Sequence, residues 1–69
     1  MEQNMIGTLI KAARQARKLT QKQVGEALGI NDRHVQAWEA GRRNPGLMYL
    51  ARLAEVLGLE ITDLLPRRT

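Results

Sequence analysis

The stretch from Leu19 to Gly41 constrains this chain more than any other. It reads as two short helices, each with its own start and stop signals. Thr20-Gln21-Lys22-Gln23 fits a capping box. In it the Thr20 hydroxyl accepts from the Gln23 N–H, and the Gln23 side chain accepts from the Thr20 N–H. The spacing predicts a helix over about 20–28, with Val24 and Leu28 on its buried face. Gly25 costs about 1 kcal/mol against alanine in a helix interior, so a close approach by the next helix is expected there. Gly29 stops the helix at a positive φ that glycine adopts cheaply. Asn31 then caps a helix over about 31–40, and Asp32 lies in its first turn, where the macrodipole favours an acid. Val35 and Trp38, three apart, point to the core, and Gly41 ends this helix as Gly29 ended the last. Polar, hydrogen-bonding residues line its free face.

The rest of the chain supplies three more helices and no strand pattern. Ile6, Leu9, Ile10 and Ala13 mark one face of a first helix over about 5–17. After Pro45 and Gly46, a fourth helix carries Leu47, Leu50, Leu53, Ala54 and Leu57 until Gly58 stops it. A short fifth holds Ile61, Leu64 and Leu65 and ends at Pro66. The fold class is therefore all-α, a bundle of about five short helices. Its expected core is Ile10, Val24, Leu28, Val35, Trp38, Leu50, Leu53 and Leu57. Residues 1–4 are expected to be disordered, 5–65 to form one domain, and 66–69 to form a tail. Leu64 and Leu65 fit core closure better than a dimer surface.

At 69 residues the chain is one small domain. Such a domain buries only about 60% of its unfolded surface, so its stability should be a few kcal/mol. It has no cysteine, which removes disulfides and thiolate metal sites. A single histidine without a cysteine partner argues against structural zinc. Neither a signal peptide nor a membrane-spanning apolar run is visible. Eleven Lys and Arg against seven Asp and Glu give a net charge of +4. The charge is polarised. Lys11, Arg14, Arg17, Lys18 and Lys22 bracket the start of the two-helix stretch, and Arg33, Arg42 and Arg43 lie within or beyond its second helix. The acids Glu55, Glu60 and Asp63 come later. A basic small domain is biased toward nucleic acid or an acidic surface.

Two short helices joined by a glycine turn, the second with a polar free face, are the layout of a helix-turn-helix. Its second helix can enter the DNA major groove. In order and spacing, Leu19-Thr20-Gln21, Val24-Gly25, Leu28-Gly29-Ile30, Val35, Trp38-Glu39, Gly41-Arg42, Pro45, Leu50, Leu53-Ala54, Leu57-Gly58-Leu59 and Leu64-Leu65 resemble the phage repressor/Cro-type, or Xre-like, family. The resemblance implies a lambda-repressor-like domain that binds double-stranded DNA in a sequence-specific way. It further implies a small, repressor-like transcriptional regulator acting as a homodimer on an inverted repeat, in the cytoplasm of a prokaryote or on phage DNA.

The resemblance also assigns roles. Gln21 would meet a DNA phosphate at the start of the second helix. Asp32, Arg33, Gln36 and Ala37 would lie along the exposed face of the recognition helix. Arg42, Arg43 and Asn44 would meet phosphates after it, and Lys22 and Asn31 join this phosphate set. Arg14 and Glu39 fall where the family places a partly buried ion pair between the first and third helices. Lys18 stands where the family often has glycine, so the turn before Leu19 is expected to be slightly strained or differently built. Gly25 stands where alanine is usual, and Gly46 where serine often caps.

Side-chain chemistry gives the candidate contacts. Arg33 can pair with guanine O6 and N7, and Gln36 with adenine N6 and N7. Arg33 could equally meet a phosphate or solvent. Asp32 could accept from cytosine N4, although its place in the first turn suits dipole capping better. Ala37 can touch a thymine methyl or pack. His34 adjoins this face and would meet a phosphate or solvent. No catalytic constellation, cofactor motif or metal-ligand spacing is present, so an enzyme is not expected. A second class of function remains, that of a module whose main partner is another protein, such as a toxin; the polar, basic recognition face favours DNA over it.

Overall fold

A computed structural model describes residues 5–64 of the chain. Within them lie five helices and no strand: α1 (Met5–Ala16), α2 (Gln21–Leu28), α3 (Asp32–Ala40), α4 (Leu47–Leu57) and α5 (Ile61–Leu64). The expected disorder of 1–4, the placing of Leu65, the stop at Pro66 and the tail all lie outside the described residues.

Local chemistry sets the ends of these helices. The capping box of α2 is present: the Gln23 N–H donates to Thr20 Oγ1 at 3.0 Å, and the Thr20 N–H donates to Gln23 Oε1 at 2.8 Å. Asn31 caps α3 by accepting from the Arg33 N–H at 2.9 Å. Gly29, Gly41 and Gly58 close α2, α3 and α4 in the left-handed region, at φ 74°, 79° and 71°. There a side chain would crowd the following carbonyl.

Helix α1 closes in the same way without a glycine. Lys18 takes φ 58°, and the Leu19 N–H returns to the Arg14 carbonyl at 3.0 Å. Of the two alternatives for a lysine in a glycine position, the turn is the strained one, and it ends the helix at Ala16 instead of Arg17. A left-handed L-residue costs roughly 1–2 kcal/mol, part of which glycine would return as unfolded-state entropy. Lys18→Gly should therefore raise stability by about 0.5–1 kcal/mol, read as a higher melting temperature. Gly46, the N-cap of α4, is a different case. It sits at an ordinary φ of −72°, makes no side-chain cap bond, and has open space where a Cβ would stand. Gly46→Ser should add a cap and remove unfolded-state freedom, a gain of about 0.5–1 kcal/mol in denaturant unfolding.

The eight expected core residues are all buried, together with Ala54 and Leu64. Leu64 is fully buried and closes the core from α5 against α4. Tyr49 is half-buried, its ring 5.8 Å from that of Trp38 and tilted by 46°. One residue of the apolar pattern departs from expectation. Leu47 has the spacing of the α4 core face but is 79% exposed, beside Met48 at 78%. It is the first residue of α4, one turn before the first buried position of that helix at Leu50.

Two glycines permit close packing of helices. Gly25 behaves as expected: a Cβ there would lie 2.9 Å from the Ile30 carbonyl oxygen and 3.3 Å from the Asp32 backbone. Gly7, whose role no local pattern announces, is buried where α1 crosses α3. A Cβ there would collide with the Trp38 carbonyl oxygen and lie 3.0 Å from that of Glu39.

Candidate nucleic-acid interface

Helix α3 presents two faces. Val35 and Trp38 are buried against the core. Arg33, Gln36, Ala37 and Ala40 follow the i, i+3, i+4, i+7 spacing and share the opposite side. Arg33, His34 and Gln36 are exposed, while Asp32 and Ala37 are half-buried. Asp32 lies in the first turn of α3. After the cap at Gly41 the chain turns back on the helix end. The Arg42 and Arg43 N–H groups both donate to the Ala37 carbonyl, at 3.0 and 3.4 Å. Arg42, Arg43 and Asn44 are exposed in this loop.

The ion pair is in place. Arg14 Nε donates to Glu39 Oε2 at 2.6 Å, and Arg14 Nη2 donates to Glu39 Oε1 at 3.1 Å. This forked geometry is the strong form of an arginine–carboxylate contact. The side chains are only 12% and 5% exposed. Arg14 Nη1 also donates to the Leu19 carbonyl at 2.9 Å, which ties the α1–α2 turn to the pair. The hydrogen bond to Glu39 raises the Arg14 pKa from its ordinary value, against the opposing effect of burial. A raised pKa on a cation gives stability that is full below the unfolded value and lost only as pH rises through the folded one. Arginine titrates so high that this contribution should stay flat through neutral pH.

The network holds one member that spacing did not reveal. Gln21 Nε2 donates to Glu39 Oε1 at 3.0 Å, so the half-buried Gln21 side chain is fastened to the recognition helix. A carboxamide carries two N–H groups, and this bond uses one of them. Asn31 likewise has its side-chain oxygen engaged in the α3 cap. Lys22 is exposed on α2.

Gln21 and Gln36 also meet at an open cleft of about 490 Å³. Its other lining includes Lys11, Arg14, Lys18 and Thr20. Arg33 and the 42–44 loop do not line it. The two lysines were legible in the sequence only as part of the basic bias near Leu19. Their convergence depends on how α1 crosses α3.

The chain as a whole is similar to known proteins. The immunity repressor of Bacillus phage phi105 is 34% identical over 64 residues, covering 93% of this chain and 44% of that protein. Multiprotein-bridging factor 1 of Candida albicans is 36% identical over 56 residues, covering 81% of this chain and 37% of that protein. The chain thus spans less than half the length of either relative. Among solved structures, the P22 c2 repressor in complex with a synthetic operator superposes with a TM-score of 0.82 at 27% identity, over 87% of this chain and 91% of that one. The Fe(II) form of HppE in complex with substrate superposes with a TM-score of 0.77 at 34% identity, over 88% of this chain but only 35% of that one. No helix among the described residues is long and apolar enough to cross a membrane. The family model described as Helix-turn-helix matches residues 10–64, and with the lambda-repressor-like arrangement of α1 to α5 the chain belongs to the helix-turn-helix family of phage repressor and Cro type.

Proposed function

We propose that this chain is a sequence-specific double-stranded DNA-binding module of a small, repressor-like transcriptional regulator, acting in a prokaryotic cytoplasm or on phage DNA, and not an enzyme. The observation that carries this is the split of α3: Val35 and Trp38 hold it to the core while Arg33 and Gln36 stand free on the outer face. In this reading Arg33 and Gln36 read base edges, and Ala37 meets a thymine methyl. Asp32 chiefly satisfies the helix dipole at the edge of that surface. Gln21, Lys22, Asn31, His34, Arg42, Arg43 and Asn44 hold phosphates and set register. The single domain corresponds to 5–65. Two copies would bind an inverted repeat, with half-sites about one helical turn, ~34 Å, apart.

Selection from a random duplex pool at near-physiological salt tests this, with Arg33→Ala and Arg42→Ala beside wild type. Wild type should enrich an inverted repeat. Arg33→Ala should relax one position of each half-site, worth about 1–3 kcal/mol of discrimination. Arg42→Ala should weaken binding to all sequences alike and flatten the salt dependence by about 0.9 in log–log slope. Equal losses on all sequences from both variants would sink the division of roles.

A second reading, a module that chiefly binds another protein such as a toxin, draws on the exposed Leu47 and Met48. Salt-sensitive binding with no enriched sequence would favour it.

A further inference from the structure

We propose that Lys11 and Lys18, neither of them in the phosphate set assigned above, join Gln21 in seating a backbone phosphate of duplex DNA in the cleft between α1, α2 and α3. The inference rests on the DNA-binding reading and extends its footprint onto α1. Three observations carry it.

The first is placement. Lys11 comes from α1, Lys18 from the turn that follows it, and Gln36 from the outer face of α3, and all three line one open cleft. A phosphate held there would adjoin the base edges that face Gln36. The second is charge. Glu39 is the one acid in the lining, and Arg14 and Gln21 already occupy its carboxylate. Lys11 and Lys18 are exposed, and neither has an ion-pair partner among the described residues. Among the described residues the cleft therefore carries two uncompensated positive charges, which a phosphodiester complements. The third is donor supply. Gln21 retains an amide N–H beyond the one given to Glu39, and Thr20 and Gln21 bring polar atoms to the same wall.

Lys18 also makes the proposal separable from a structural role. Its backbone is strained at φ 58°, so Lys18→Gly removes the cation while relieving the turn. Lys11→Gln removes the other cation from an exposed helix position. Binding of wild type, Lys18→Gly, Lys11→Gln and the double variant to a mixed-sequence duplex should be measured across a salt series, beside thermal melts of each protein. The slope of log K against log salt should fall by about 0.9 for each lysine removed, while Lys18→Gly melts no lower than wild type. Weaker DNA binding by a more stable protein has no explanation in misfolding. Wild-type binding with slopes unchanged in both variants would overturn the cleft proposal and leave the DNA reading standing. Absence of salt-dependent duplex binding by wild type would sink the DNA reading and the proposal with it. Stabilisation of wild type but not the double variant by millimolar inorganic phosphate, with unchanged DNA slopes, would assign the cleft to a small anion and also overturn it.

Discussion

Glu39→Ala should cost about 3–5 kcal/mol, because it strands the Arg14 guanidinium in a site only 12% exposed. A chain of this size holds only a few kcal/mol of net stability, so much of the variant should be unfolded at 37 °C. The loss exceeds one ion pair. Glu39 accepts from Arg14 twice and from Gln21 once, and thereby joins α3 to α1 and to the start of α2. Trp38, the single tryptophan, is buried one residue away and gives a fluorescence readout of urea unfolding. The double replacement Arg14→Met with Glu39→Leu should recover most of the loss, since removing both charges removes the stranded one. A cost below about 1 kcal/mol for Glu39→Ala would mean that the pair behaves as a solvent-exposed one and overturn this account.

Gly7→Ala should destabilise the fold, against the helix-propensity gain of about 1 kcal/mol that the same change gives on an open helix face. The added Cβ would meet the Trp38 carbonyl oxygen and press on that of Glu39. Both obstacles are backbone, with no flexible side chain to swing aside, so α1 must shift away from α3. Overpacking of this kind costs typically about 1–3 kcal/mol. In a domain of this size, each kcal/mol lowers the melting temperature by roughly 4–8 °C. The shift would also pull Arg14 from Glu39, so the larger end of the range is expected. A melting temperature equal to or above that of wild type would show that α1 and α3 can separate freely at this crossing.

Most of the fold was legible because its signals are local. The capping box at Thr20, the cap at Asn31 and the left-handed stops at Gly29, Gly41 and Gly58 each depend on residues within one turn of the backbone. Lys18 shows the same logic under strain: the turn keeps its geometry although the usual glycine is missing. The core residues followed from helical spacing, and the Arg14–Glu39 pair from the family resemblance. The direction of α3 was also readable, because Val35 and Trp38 leave Arg33 and Gln36 on the other side.

The sequence by itself therefore determined where the helices begin and end, which stripes they bury and which residues α3 leaves to solvent, since these are decided by backbone capping and by 3.6-residue periodicity. Only the tertiary structure decided the rest. Leu47 has core spacing but is left exposed at the start of α4, and periodicity gives a direction without a depth. Gln21 finds Glu39 eighteen residues away, Gly7 is needed because α3 crosses there, and Lys11 and Lys18 converge with Gln36 on one cleft. Each depends on the angle and separation at which α1, α2 and α3 cross. Those are set by the packing of many side chains at once, and no short segment encodes them alone.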